Sequence, residues 1–493
     1  MSVSTETSAP APQPAAPAAS APASTPISQL APMLERMKAA GLGRPAPTYG
    51  ERVAHLRALE TLLVDHKNEI CDAISEDFGN RSKHETLLAE VFVSLEGVRY
   101  ILAHLREWME PERRNVGWAF LPAGAKLVYQ PLGVVGIIAP WNYPFNLAII
   151  PLAGALGAGN RAMIKPSELT PRIGALMKKL LATKFSEDQV AVVTGGADLG
   201  EAFSHLPFDH LLFTGSTRVG KAVMRAAAEN LVPVTLELGG KSPVIIGPDF
   251  PIDQAAAKIM FGKLFNAGQT CIAPDYVLLP RDKRDQFIEA AQKTVAELYP
   301  TLARNKDYTS IVSDRHYQRL ESYLSDADTR GAKLLKINPG GETLDPANRK
   351  LAPTLVIDPT EDMTVMQDEI FGPILPIVTY GELGEAIKYV NAHPRPLALY
   401  AFSHDQRTVD RVIEETISGG VAINETMMQF AQDDLPFGGV GPSGMGHYHG
   451  KEGFETFSKK KPIFTQARLN TTKILRPPYG ALLETFFRFV LGK

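Results

Sequence analysis

The sequence predicts an α/β protein built from two doubly wound domains, and three observations predict it. From Val134 onward short apolar runs alternate with helical ones, the pattern of parallel strands joined by crossover helices. A second series of the same kind starts near Gly239. The 493 residues also exceed what one hydrophobic core organises, so more than one domain is expected.

Residues 1–27 are a run of Pro, Ala, Ser and Thr with almost nothing large to bury, which predicts a disordered tail. This stretch has neither a basic n-region nor an apolar h-region, and no Arg precedes Arg36, so neither a secretory nor a transit signal is expected. From Ser28 to about Met109 the spacing is helical, with Leu59, Leu62, Leu63, His66 and Ile70 on one stripe. Cys71 lies beside that stripe and reads as a small packing residue.

The runs "VVGIIAP", "RAMIKP", "QVAVVTGG", "HLLFTG" and "VPVTLELGG" predict strands. "NLAIIPLAGALGAG", "PRIGALMKKLLATKF" and "TRVGKAVMRAAAEN", between them, predict helices. Such a unit binds nucleotides at the C-terminal ends of its strands. The second series contains the helix "PIDQAAAKIMFGKLF" and the strands "DYVLL", "ILPIVTY", "LALYAFS" and "GGVAIN". Two α/β domains suggest a cleft enzyme, with a cofactor on one side and a reactive group on the other.

A net charge of −3 with mixed signs gives no basic field, so no nucleic-acid partner is expected. Two cysteines make no disulfide framework, and neither has zinc-ligand spacing; no metal site and a cytoplasmic location are expected. No window approaches the roughly 20 apolar residues of a transmembrane helix. At the chain end Leu482, Leu483, Phe486, Phe487, Val490 and Leu491 form a helical stripe. It is expected to pack on the protein or a partner subunit, with a peripheral membrane contact as the alternative.

Five stretches carry candidate chemistry. In "LLFTGSTRVGKAV", Gly215 and Ser216 open a helix that also contains Gly220; its free N–H groups suit a phosphate, although glycine at such a turn also serves plain geometry. In "AMIKPSE", Lys165 and Glu168 follow a strand, where they could meet ribose hydroxyls or simply solvent. In "VTLELGGKSPV", alternation turns Glu237 away from Val232, Val234, Leu236 and Leu238, just before two glycines. In "FNAGQTCIAPDY", Cys271 is a thiol that needs a base. In "IAPWNYPFNL", Asn142 is either a turn former or a donor to a developing oxyanion. His447 and His449 in "GMGHYHGKEG" read as surface or packing residues.

In order, "PWNYPF", "KPSE", "FTGSTRVG", "ELGGK", "GQTC" and then "EIFGP" (Glu369 to Pro373) resemble the aldehyde dehydrogenase superfamily over nearly all the chain after the tail. "CIAPDYVL" and "LPFGGVGPSGMGHYHGKEGFETFS" look like its class 3 branch, most like the bacterial coniferyl-aldehyde dehydrogenases. The resemblance implies Cys271 as nucleophile, Glu237 as base and Asn142 as oxyanion donor. It implies NAD as cofactor, with NADP as an alternative because relatives of this branch use both. Lys165 and Glu168 would lie on the adenosine ribose, Gly215, Ser216 and Gly220 at the pyrophosphate turn, and Glu369 on the nicotinamide ribose with Phe371 beside it. The implied domains are a disordered tail at 1–27, a cofactor-binding domain at 28–115 and 136–238, and a catalytic domain at 239–457. A small oligomerisation hairpin at 116–135 and 458–475, consistent with a homodimer, and a tail at 476–493 complete it. The substrate is expected to be an aromatic aldehyde such as coniferaldehyde, with medium- or long-chain fatty aldehydes as the alternative. From a different class, a cofactor-independent thiol esterase needs a His base that no local motif supplies.

Overall fold

The first sheet is wound outward in both directions from its middle, and that order decides where a cleft can open. The computed structural model describes residues 24–470 and 472–492. Its first large sheet runs Val190–Val192, Arg161–Lys165, Val134–Ile138, His210–Thr214, Val234–Glu237, all parallel, with Gly444–Met445 added antiparallel at the far edge. The chain steps from Val134–Ile138 to one side, then returns to His210–Thr214 on the other. The switch point therefore lies beyond Ile138 and Thr214, where α/β sheets hold their ligands. All the strands expected in this half form, because their Val, Ile and Leu side chains are covered on both faces.

The second sheet has the order Lys333–Lys336, Thr354–Ile357, Ile374–Tyr380, Tyr276–Pro280, Pro243–Ile246, Ala398–Phe402, Gly420–Ile423. Only its first pair is antiparallel. Helix Ile252–Leu264 feeds the loop that carries Cys271 into the central strand Tyr276–Pro280. A third, antiparallel sheet joins Glu112–Arg114, Gly124–Pro131 and Ser458–Thr465. It starts at Glu112, ahead of the boundary expected at 116, because Glu112 pairs with Leu127. Ser458–Thr465 pairs along one edge only among the described residues.

The N-terminal region differs from expectation in two places. Disorder was expected through residue 27, but the Thr25 N–H donates to the Thr194 carbonyl at 2.7 Å, and the Thr194 N–H donates to Thr25 Oγ1 at 3.1 Å. Helix Leu30–Gly41 then buries Leu30, Met33, Leu34 and Met37 against the first sheet. Residues 1–23, the rest of the expected tail, lie outside the described residues. His66, expected on the apolar stripe, instead ends helix Tyr49–Asp65 and starts Lys67–Phe78, with its Nδ1 2.6 Å from Glu69. Leu59, Leu62, Leu63, Ile70 and Cys71 are buried as the stripe requires.

The C-terminal stripe forms helix Ala481–Leu491. Leu483 is buried and Phe486 meets the Trp118 ring at 5.8 Å, while Leu482, Phe487, Phe489 and Leu491 stay exposed. No helix among the described residues is long and apolar enough to cross a membrane.

Candidate active site

The loop after Val134–Ile138 carries Asn142 to the switch point, where it is almost fully buried. Its carbonyl accepts from Arg81 Nη1 at 2.9 Å and from Asn266 Nδ2 at 3.1 Å. Its side-chain amide donates to none of the described residues, so the backbone is fixed while the N–H2 group stays available. Asn266 Nδ2 also donates to the Gln269 carbonyl at 3.1 Å, which ties the Asn142 loop to the one bearing Cys271.

That second loop is held in a costly shape. Asn266, Ala267 and Gly268 are consecutive left-handed residues, with φ of 52°, 52° and 75°. Non-glycine residues there cost about 1–3 kcal/mol each and persist only where the surroundings impose them. Glu85 accepts the Asn266 N–H at 3.1 Å. Gln269 bridges to Ser310 and Val312 at 3.1 and 2.9 Å. A Cβ on Gly268 would run into the backbone of Gly372 and Lys263. Gly268→Ala should therefore destabilise the fold by about 2–3 kcal/mol, read as a lower urea midpoint, and an unchanged midpoint would contradict this close packing.

Cys271 follows that turn as a free, half-buried thiol. Burial, then the carboxylates of Glu369 and Glu237, push it up to about 12, against a smaller lowering by the N–H groups of Cys271 and Ile272. Glu237 ends strand Val234–Glu237 and pairs with Gly444 across the sheet edge. Only 2 % exposed, it has no hydrogen-bond partner on either carboxylate oxygen. Burial raises it well above the usual carboxylate range. Leu236 and Leu238 pack into one core, so the alternation of the strand sends Glu237 to the opposite side, into the interior beside Cys271. A thiol, a carboxylate without partners and an amide N–H2 together suit attack on a carbonyl and later activation of water.

The residues expected to hold a cofactor divide unevenly. Gly215 follows His210–Thr214, and its N–H donates to the Glu237 carbonyl at 2.9 Å. Ser216 caps helix Thr217–Ala228 from an exposed position. Lys165 ends its strand and pairs with Glu168 at 2.7 Å, so this loop is an ion pair rather than loose solvated charge. Glu369 lies over Gly239, where a Cβ would collide with its carboxylate, and its Oε1 has no partner. Burial raises Glu369 to about 8. Phe371 sits at φ 53° and meets the Trp141 ring at 5.3 Å. Gly220 is buried inside its helix, where a Cβ would strike Leu238, so it lets the helix lie close to the sheet.

The aldehyde dehydrogenase family pattern matches residues 11–463 of this sequence. The chain belongs to the aldehyde dehydrogenase family. It is 54% identical over 458 residues to a probable coniferyl aldehyde dehydrogenase of Pseudomonas aeruginosa, covering 93% of this chain and 95% of that one. Among solved structures it superposes on Staphylococcus aureus AldH in its substrate-bound state with a TM-score of 0.88, at 40% identity over 94% of this chain and all of the other (100%). A Mycobacterium tuberculosis aldehyde dehydrogenase complexed with NAD+ matches at a TM-score of 0.80 and 29% identity, over 90% of each chain.

Several residues of this aldehyde dehydrogenase's site carried no sequence signal. Arg81, Glu85 and Glu90 belong to no motif in the sequence, yet all three are buried around the Asn142 and Cys271 loops. Tyr448 is buried with a partnerless hydroxyl, on the loop that pairs beside Glu237. The two histidines separate as expected of surface and packing residues. His447 is exposed. His449 is buried, stacked on Phe437 at 5.2 Å and edge-on to Phe430 at 4.9 Å, and burial lowers it to about 3. Among the described residues no group of His, Cys, Asp and Glu could hold a metal ion.

Proposed function

We propose that this aldehyde dehydrogenase oxidises aromatic aldehydes of the coniferaldehyde type to their carboxylic acids, with NAD as oxidant, through a covalent adduct on Cys271. The observation that carries the mechanism is the buried Glu237 carboxylate, without a hydrogen-bond partner, beside the Cys271 thiol. Similarity to the P. aeruginosa coniferyl aldehyde dehydrogenase supports the substrate class. The aromatic surroundings agree: Tyr400 donates to the Ile272 carbonyl and accepts from the Met427 N–H, which draws the segment bearing Phe430 toward the Cys271 loop.

The Cys271 proton passes to Glu237, and the sulfur attacks the aldehyde carbon. The carbonyl π electrons move to oxygen, where the Asn142 amide and the Cys271 N–H hold the charge, interactions worth roughly 3–4 kcal/mol when one is lost. As the oxyanion electrons re-form the carbonyl, the carbon gives up a hydride and becomes a thioester; the chemistry that NAD would supply, when bound, is that of the hydride acceptor. Glu237, once it has passed the first proton to solvent, takes a proton from water as the water oxygen attacks the resulting thioester; the carbon–sulfur bond then breaks, the carboxylic acid is released, and Glu237 returns its proton to the Cys271 thiolate. A water-activating carboxylate at this point favours hydrolysis over transfer to coenzyme A.

The residues present fit NAD. Glu369 Oε1 is buried without a partner, suited to a ribose hydroxyl, and the first turn of Thr217–Ala228 opens at the switch point for a phosphate. Lys165 and Glu168 would take the other ribose, where the Glu168 charge disfavours a 2′-phosphate. The edge of Ser458–Thr465 that no strand pairs among the described residues supports a homodimer formed by strand pairing.

The test is kcat/KM for coniferaldehyde, benzaldehyde, hexanal and a long-chain aldehyde, each with NAD and NADP. The highest values are expected for coniferaldehyde with NAD. A preference for the long-chain aldehyde would overturn the aromatic assignment.

A further inference from the structure

We propose that Arg81 and Glu90 form a buried brace that sets the Asn142 amide relative to Cys271, which makes both of them positioning residues for the reaction. The inference rests on the oxyanion role proposed above for Asn142.

The two side chains are 0 % exposed and meet at 2.9 Å, Arg81 Nη1 to Glu90 Oε1. They come from unlike places. Arg81 lies in the turn after helix Lys67–Phe78, and Glu90 lies in Leu87–Phe92, a π-helical turn inside an otherwise α-helical rod. Such turns re-aim side chains and concentrate at functional sites. Glu90 Oε2 accepts the N–H groups of Phe145 at 3.1 Å and Asn146 at 2.7 Å, at the start of helix Asn146–Gly157. Arg81 Nη1 also donates to the Asn142 carbonyl at 2.9 Å. One ion pair thus grips both ends of the Asn142–Asn146 loop.

The brace also reaches the nucleophile side. The Arg81 guanidinium lies 4.8 Å from the Tyr143 ring centre, and the Tyr143 hydroxyl is 2.7 Å from Thr270 Oγ1, next to Cys271. Arg81 Nε and Nη2, by contrast, are buried with no acceptor. A buried pair left this incompletely solvated is poorly suited to stabilising a fold, and apolar replacements of such pairs are often neutral or better. What it does supply is geometry, and a misplacement of about 1 Å at a reacting group can cost on the order of 100-fold in rate.

The experiment measures kcat for coniferaldehyde with NAD, per titrated Cys271, for Arg81→Met and Glu90→Gln in the wild-type and Asn142→Ala backgrounds. NAD affinity and Tm are read in parallel. Arg81→Met is expected to lower kcat about 10- to 100-fold with NAD affinity unchanged. In the Asn142→Ala background, itself slower by about 100- to 1000-fold, it should cost less than about twofold more. An equal loss in both backgrounds would mean that Arg81 acts independently of Asn142 and overturns the brace alone. Full activity of Asn142→Ala would instead overturn the oxyanion role, and the brace with it. Should Arg81→Met fail to fold, Arg81→Lys, whose ammonium lacks the planar fork, carries the same comparison.

Discussion

Cys271→Ala should reduce NADH formation to background with every aldehyde while leaving the folded protein intact. Removing a half-buried thiol leaves the surrounding loop bonds from Asn266 and Gln269 in place, so loss of rate will reflect lost chemistry. The thiol at about 12 also makes a kinetic statement. With the thiol raised this far, very little of it is thiolate at pH 7. The chain alone should therefore react slowly with iodoacetamide at neutral pH, and faster as pH rises. The label should appear on Cys271, because Cys71 is 1 % exposed and burial raises its thiol too. Aldehyde oxidation surviving in Cys271→Ala would remove the covalent mechanism.

Glu237→Gln should lower kcat by about 100- to 10,000-fold, the usual range for a general base. The form of the loss is more informative than its size. If Glu237 activates the water, the thioester accumulates, so a burst of NADH equal to the enzyme concentration should precede a slow steady state, and mass spectrometry should find the acyl group on Cys271. If Glu237 serves only to take the thiol proton, the burst itself slows and no acyl-enzyme builds up. The pH dependence has a definite sign. Glu237 must be ionised to accept a proton, burial raises it well above its ordinary value, and the Cys271 thiol is raised as well. Both shifts place the rising limb of the rate on the alkaline side of the usual carboxylate range. A rate flat from pH 5 upward would contradict that environment.

Glu237 was legible because a strand has a strict period of two. Once Leu236 and Leu238 are committed to one core, Glu237 must face the other way. Cys271 and Asn142 were legible through the motifs around them, each set at the end of a strand or helix. The packing role of Gly220 was not legible, because glycine needed for close helix packing and glycine needed beside a phosphate look alike in one sequence. His66 fits an apolar spacing but sits where one helix ends and the next begins, a boundary that periodicity does not mark. Thr25 looked like part of a polar tail because its partner, Thr194, is 169 residues away.

By itself the sequence determined the α/β class, the two series of strands and helices, and the residue types able to do the chemistry, since periodicity and turn chemistry are local. Only the tertiary structure decided which charges are buried. Arg81, Glu85 and Glu90 have unremarkable local spacing, and they gain meaning from Asn142, Asn266 and Phe145, which folding brings from 55 to 181 positions away. The physical reason is that burial and hydrogen bonding depend on neighbours in space. The same carboxylate is solvated on a free helix and becomes a brace when two loops close over it.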